Sequence, residues 1–211
     1  MTDAPITDPA IFGLLGTLAA ATIALLGVVV GAALSWGKDW FFERQKRAAA
    51  ASYLAVRAVC ILDRFVANCS DIVFNDDEGD GQSQASLPKL GDFPDNVDWK
   101  SISSHLMYKL LAFPNEILSA NNSITFVANM IAGPPDYEEA DEERCYQYAL
   151  LGLTAINLAN TLRKKYAIPR RTFIDWNPEE EFRRVKQKME ASREASRKRN
   201  AFAFPPDGCE K

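Results

Sequence analysis

Histidine is almost missing from this chain: His105 stands alone among 211 residues. Imidazole-built metal sites and the paired Glu-x-x-His motifs of di-metal carboxylate proteins each need several histidines, so both are excluded. Cysteine is scarce as well. Cys60, Cys69, Cys145 and Cys209 include no C-x-x-C pair, which removes zinc-ribbon and thioredoxin-like readings. The first three sit in helical stretches among Val, Ile, Leu and Tyr and are expected to be buried thiols in a reducing compartment. No cofactor is implied. Excess positive charge is also lacking, because 24 basic residues face 28 acidic ones for a net charge of −4. A bulk affinity for nucleic acid is therefore not expected.

The most consequential absence is charge itself. No charged residue occurs from Pro9 to Gly37, and no Lys or Arg precedes that run. About 20 apolar residues cross a bilayer core, so Pro9–Gly37 is expected to be a transmembrane helix. Asp8 is placed to cap it, with Pro9 in its first turn. A secretory signal would need a basic start, a shorter apolar stretch and a cleavage site, none of which fits. Trp36, Trp40, Phe41 and Phe42 suit the aromatic belt at a water interface, and Lys38, Arg44, Lys46 and Arg47 follow on one flank only. The positive-inside rule then predicts a bacterial inner-membrane, single-pass protein with residues 1–8 outside and the rest cytoplasmic. Gly27, Gly31 and Ser35 form a small-residue stripe suited to close helix–helix packing, which makes a homo-oligomer through the membrane helix an expected partner state.

Helix breakers are absent too. Neither Pro nor Gly occurs between Lys38 and Asp77, so the membrane helix is expected to continue over residues 38–74. Leu54, Ala58, Ile61, Phe65, Cys69 and Ile72 recur at helical spacing, widened by Val59, Leu62, Val66 and Val73, with Arg57, Arg64 and Asp71 opposite. Residues 75–86 read as a polar loop. Asp76, Glu78, Asp80 and Gly81 imitate a calcium loop, but its twelfth position holds Leu87 in place of the required Glu. The remainder of 75–100 is expected to lie extended over the bundle through Leu90, Phe93 and Trp99.

Over 101–168 the pattern predicts a short helix from Ser103 to Phe113, with His105 in a structural role, and a second helix opened by Pro114. In the second, Ile117, Ala120, Ile124, Val127 and Ile131 form the stripe. A third helix begins at Asp136 with Glu139 as a capping pair. Leu151, Ala155, Leu158 and Leu162 line its buried face, beside Tyr148, Gly152, Ala159 and Tyr166. Arg163, Lys164 and Lys165 match its negative end. Glu138, Glu139, Glu142 and Glu143 are expected in water.

Residues 169–211 hold a basic helix and a tail. The helix starts at Asn177 and Pro178 and runs to about Asn200. Its basic residues are Arg183, Arg184, Lys186, Lys188, Arg193, Arg197, Lys198 and Arg199, against a thin apolar set of Phe182, Val185 and Met189. They either balance the helix and lie in water or contact the anionic inner leaflet, where each is worth roughly 1 kcal/mol. Aromatic residues do not interleave them, which ranks nucleic acid below both readings.

The order of segments carries a resemblance. A membrane helix passes into an Ala/Arg-rich rod and Asp71-Ile72-Val73, then Phe93-Pro94 with Asp98-Trp99-Lys100. Leu111-Ala112-Phe113-Pro114-Asn115-Glu116-Ile117 and Leu162-Arg163-Lys164-Lys165-Tyr166 with Ile168-Pro169 follow. Over roughly residues 11–170 this resembles an uncharacterised family of small bacterial single-span membrane proteins with a cytosolic helical domain. The resemblance implies that fold and no activity.

The expected architecture is all-α: one N-terminal transmembrane helix continuing into a cytosolic antiparallel three- to four-helix bundle with a basic C-terminal helix. The expected role is a membrane-anchored interaction or assembly module, with the lipid bilayer and an unidentified protein as partners. One alternative is a membrane-bound enzyme or regulatory subunit whose site spans Asp98-Trp99-Lys100, His105 and Glu116. A phage-related or defence membrane effector is another.

Overall fold

The computed structural model describes residues 9–74, 88–132, 138–172 and 177–203, with side chains for all of these except 9–30, 32, 33 and 200–203. Four α-helices carry the described chain: α1 (Pro9–Phe74), α2 (Ser104–Met130), α3 (Glu138–Tyr166) and α4 (Pro178–Ala203), with a 3-10 turn at Trp99–Ser101. No strand occurs among the described residues. The all-helical class expected from the periodicity is what forms. The chain divides into two compact units, residues 1–49 and 50–211, and each is described by itself.

The first unit is the N-terminal part of α1. Its five glycines, Gly13, Gly16, Gly27, Gly31 and Gly37, all sit inside unbroken helix, and from Lys38 onward neither Pro nor Gly occurs in it. Every described side chain from Leu34 to Ala49 is exposed.

The second unit is a bundle of α1 from residue 50 onward with α2, α3 and α4. Chain direction is fixed by cross-helix pairs. Ser103, Asn121 and Ser123 of α2 and its cap bond Lys165, Tyr148 and Glu143 of α3, so rising numbers on one meet falling numbers on the other. Gly152 lies under Phe182 and Glu143 bonds Arg193, which makes α4 antiparallel to α3 as well. The core draws on every helix: Leu54, Leu62, Phe65 and Cys69 from α1, Leu110 and Phe113 from α2, Tyr148 and Leu162 from α3, and Phe182 from α4 are all 1% exposed or less. Large apolar side chains of this kind each contribute about 1.5–3 kcal/mol by leaving water. Phe65 and Phe113 meet edge to face at 5.4 Å, joining α1 to α2. Leu90, Phe93 and Trp99 pack against this core as the extended segment was expected to do.

Two local expectations are corrected. The short helix ending at Phe113 and the helix opening at Pro114 are one, because α2 continues through Pro114. A proline inside a helix forfeits one backbone bond and costs about 3 kcal/mol. Leu106, Leu110, Phe113, Ile117 and Ala120 form one buried row across it, and that burial outweighs the break. Ser103 does occupy the N-cap position, but its hydroxyl makes no cap bond. It accepts from Lys165 Nζ at 2.9 Å instead. The cap expected at Asp136 lies outside the described residues. At the other end of α3, Ala167 adopts φ 53° and Ile168 N–H donates to the Arg163 carbonyl at 3.0 Å. That is a Schellman closure with alanine where glycine is usual. Asn177 caps α4 as expected, its Oδ1 accepting from Glu179 N–H at 3.1 Å, and Pro178 is buried in the first turn.

Candidate membrane interface and the seat of the basic helix

In the first unit the described part of α1 presents large, exposed apolar side chains. Trp36 is 84% exposed, Trp40 63% and Phe41 61%. At 3.6 residues per turn, Trp36 and Trp40 fall on one side while Phe41 and Phe42 continue around the helix. The aromatics therefore form a girdle and not a stripe. A stripe would seat against one partner surface, whereas a girdle matches an environment that is the same all round. Lys38, Arg44, Lys46 and Arg47 are likewise spread around the circumference, and all are exposed. Lys38 Nζ lies 5.8 Å from the Phe42 ring centre and Arg44 Cζ 5.5 Å from that of Trp40. Arg47 pairs with Glu43 at 2.5 Å, one turn back.

Among the described residues no helix is long and apolar enough to cross a membrane. The expected span, Pro9–Gly37, falls almost wholly on side chains outside that set, and so does Gly27. Gly31 has no atom within 4 Å of where a Cβ would stand, and Ser35 is exposed.

In the second unit α4 is seated on α3 at two points. At the first, a Cβ on Gly152 would fall 2.3 Å from Phe182 Cε2, so only the absence of a side chain there admits the buried ring. Phe74, at the end of α1, stacks on the same ring at 6.3 Å. At the second, Glu143 is 8% exposed, and its carboxylate accepts from Ser123 Oγ at 2.8 Å, Gln147 Nε2 at 2.7 Å and the Arg193 guanidinium. Arg193 also covers the Tyr146 ring at 4.0 Å, close enough for cation–π attraction.

These contacts change the reading of both charge clusters. Glu143 is not in water like its neighbours; it fastens α2, α3 and α4 together. Stepping back by four from buried Leu151 through Gln147 reaches Glu143, so the signal lay in the periodicity and was masked by the surrounding acids. Arg193 is committed to the bundle. Of the other basic residues on α4, Arg183, Arg184, Lys186 and Lys198 pair with Glu179, Glu181, Glu190 and Glu194. Arg199 donates to Ser196 Oγ at 3.0 Å, and Lys188 and Arg197 are exposed. Much of the basic charge is thus balanced within its own helix.

Arg163 also departs from expectation. It is buried and pairs with Asp63 of α1 at 2.5 Å, where a solvated partner of the helix dipole was expected. It extends the Ala155–Ala159 row by one more step of four, but its partner lies 100 residues away, which no local pattern reveals. Of the cysteines, Cys69 is buried, Cys60 is exposed, and neither they nor Cys145 is disulfide-bonded. Burial pushes the Cys69 thiol well above its ordinary range, so the thiol stays protonated. The Tyr148 hydroxyl is pushed up to about 12 by burial first and by Cys69 second, against an opposing pull from Arg144. Its proton is held in a 2.8 Å bond to Asn121 Oδ1. Cys209 lies outside the described residues.

The residues set out for a possible enzyme site are not brought together. The Asp98 carboxylate accepts from Lys100 N–H at 3.0 Å and so caps its own turn. Trp99 packs edge to face on Phe93 at 5.7 Å. His105 and Glu116 are both exposed on α2, and eleven residues of helix separate them by about 16 Å. No family model, curated protein or solved structure matches the chain.

Proposed function

We propose that this protein is a membrane-tethered helical interaction module, anchored by the N-terminal part of α1 in a bacterial inner membrane with its bundle on the cytoplasmic side. The observation that carries the reading is the girdle of exposed Trp36, Trp40, Phe41 and Phe42, around the whole circumference of α1. Exposed tryptophan costs free energy in water, and rings of aromatics followed by basic residues are what the headgroup layer accommodates. The uncharged sequence from Pro9 to Gly37 on one side of the girdle and the basic residues on the other support the same orientation. Within the bundle, Glu143–Arg193 and Asp63–Arg163 pair across helices, which fits a scaffold presenting surfaces.

Fractionation of cells producing the full chain tests this directly. The protein stays with membranes through alkaline carbonate extraction, and a variant lacking residues 1–37 moves to the soluble fraction. With Cys60 as the only remaining cysteine, a membrane-impermeant maleimide labels inside-out vesicles and not intact spheroplasts. Recovery of the full chain in the carbonate supernatant overturns the anchor, and labelling of spheroplasts overturns the orientation.

A further inference from the structure

Helix α2 buries one row in the bundle, and its opposite face is not the charged surface that such a face usually carries. Tyr108 is 72% exposed, Leu118 and Phe126 are each 59% and Met130 is 74%, with Leu111 close behind. At 100° per residue these five fall within one stripe about 120° wide along the whole helix. Asn115, Ser119 and Asn122 lie on the same stripe and are exposed. No charged residue occurs from Ile117 to Pro135, in a chain that is 25% charged. Depletion of charge with enrichment in Tyr, Phe and Met is the composition of an interface centre.

The chemistry of the stripe selects its occupant. A partner chosen by charge finds nothing to pair with. A lipid surface favours helices rimmed by Lys and Arg, and the only formal charges on α2 are Lys109 and Glu116. A second copy fits. Uncharged residues meet uncharged residues, and no charge is buried alone. A carboxamide both donates and accepts, so Asn115 and Asn122 are satisfied by amides like themselves, and a buried Asn pair fixes register. The area also suffices: at roughly 100–150 Å² per large side chain, the five and their neighbours offer a face near the about 800 Å² per partner of a standard interface.

We propose that two copies of this chain associate through the exposed face of α2, in a two-fold contact centred near Leu118. The stripe runs from Tyr108 to Met130, so Leu118 sits near its midpoint and meets its own copy whether the two helices run parallel or antiparallel. An isologous contact of this kind closes at two and leaves no stripe exposed. The contact supplies the interaction module with a partner but does not depend on α1 entering a bilayer. Loss of the anchor in fractionation, with the α2 dimer intact, removes only the preceding reading.

Sedimentation of the full chain in detergent, with the detergent contribution matched out, gives a dimer. Placing Arg at both Leu118 and Phe126 weakens it roughly hundredfold, through like charges forced together at the centre. The helical content of the bundle, read by far-ultraviolet circular dichroism, is unchanged, since both positions are exposed in the single chain. Gly27→Leu with Gly31→Leu leaves this dimer in place. A photo-crosslinking residue at position 118 yields a species of twice the chain mass. A monomeric parent chain overturns the proposal. So does a dimer lost with the glycine pair and kept with L118R and F126R, or a crosslink from 118 into the same chain or to lipid.

Discussion

At Ala167 the backbone turns through φ 53° to end α3, a conformation in which an L-residue sets its Cβ against the following carbonyl at about 1–2 kcal/mol. The turn persists because Ile168 must reach the core and return its N–H to Arg163. Ala167→Gly therefore removes the steric cost while adding some unfolded-state freedom, for a net gain of about 0.5–1 kcal/mol. In a chain of this size that raises the melting temperature by a few degrees, and Ala167→Val lowers it. An unchanged melting curve for both variants means that this turn stores no strain. Other single residues were partly legible beforehand. The buried face of α1 followed from spacing alone, whereas Glu143 and Arg163 were hidden because a charged letter reads as exposed until its partner is known. Burial of such groups is tolerated only when they are paired, and the pairs Glu143–Arg193 and Asp63–Arg163 join different helices.

Elements were more legible than the contacts between them. Helix starts and stops are written locally: Asn177-Pro178 opens α4, and the polar sequence from Asn75 follows the end of α1. Pro114 misled because its cost is local and visible, while the continuous buried row that overrides it depends on neighbouring helices. The seat of α4 was invisible for a similar reason. Its apolar content is thin, and no pattern tells that Phe182 is meant for Gly152. That contact makes a strong prediction, since a methyl at residue 152 would press into the ring at 2.3 Å. Gly152→Ala therefore displaces Phe182 and costs about 1–3 kcal/mol, as overpacking does. α4, rich in Lys and Arg, becomes more sensitive to trypsin than the rest of the bundle. Pairing the change with Phe182→Leu restores part of the protection, and that non-additivity identifies the contact. Equal trypsin sensitivity in the parent and in Gly152→Ala would show that α4 is seated by Arg193 alone.

At the scale of the whole molecule, the described core is confined to one of the two units. Every residue of the described core lies between Ala51 and Phe182, and the boundary between units falls at Ala49. Every described side chain from Leu34 to Ala49 is exposed. This separation has a thermodynamic consequence: stability of the second unit is a property of its own packing. A chain lacking residues 1–37 is therefore expected to unfold cooperatively with a melting temperature within about 2 °C of the full chain's, because it keeps every residue of the described core. Helix α1 then begins at Lys38, whose positive charge lies at the end favoured by anions. Fraying of the first exposed turns is the expected local effect, detectable as faster amide exchange before Ala51 and unchanged exchange at Leu54, Leu62 and Phe65. A drop of many degrees, or loss of protection at those three positions, would mean that the anchor and the bundle fold as one, and the division of labour on which the module reading rests would fail.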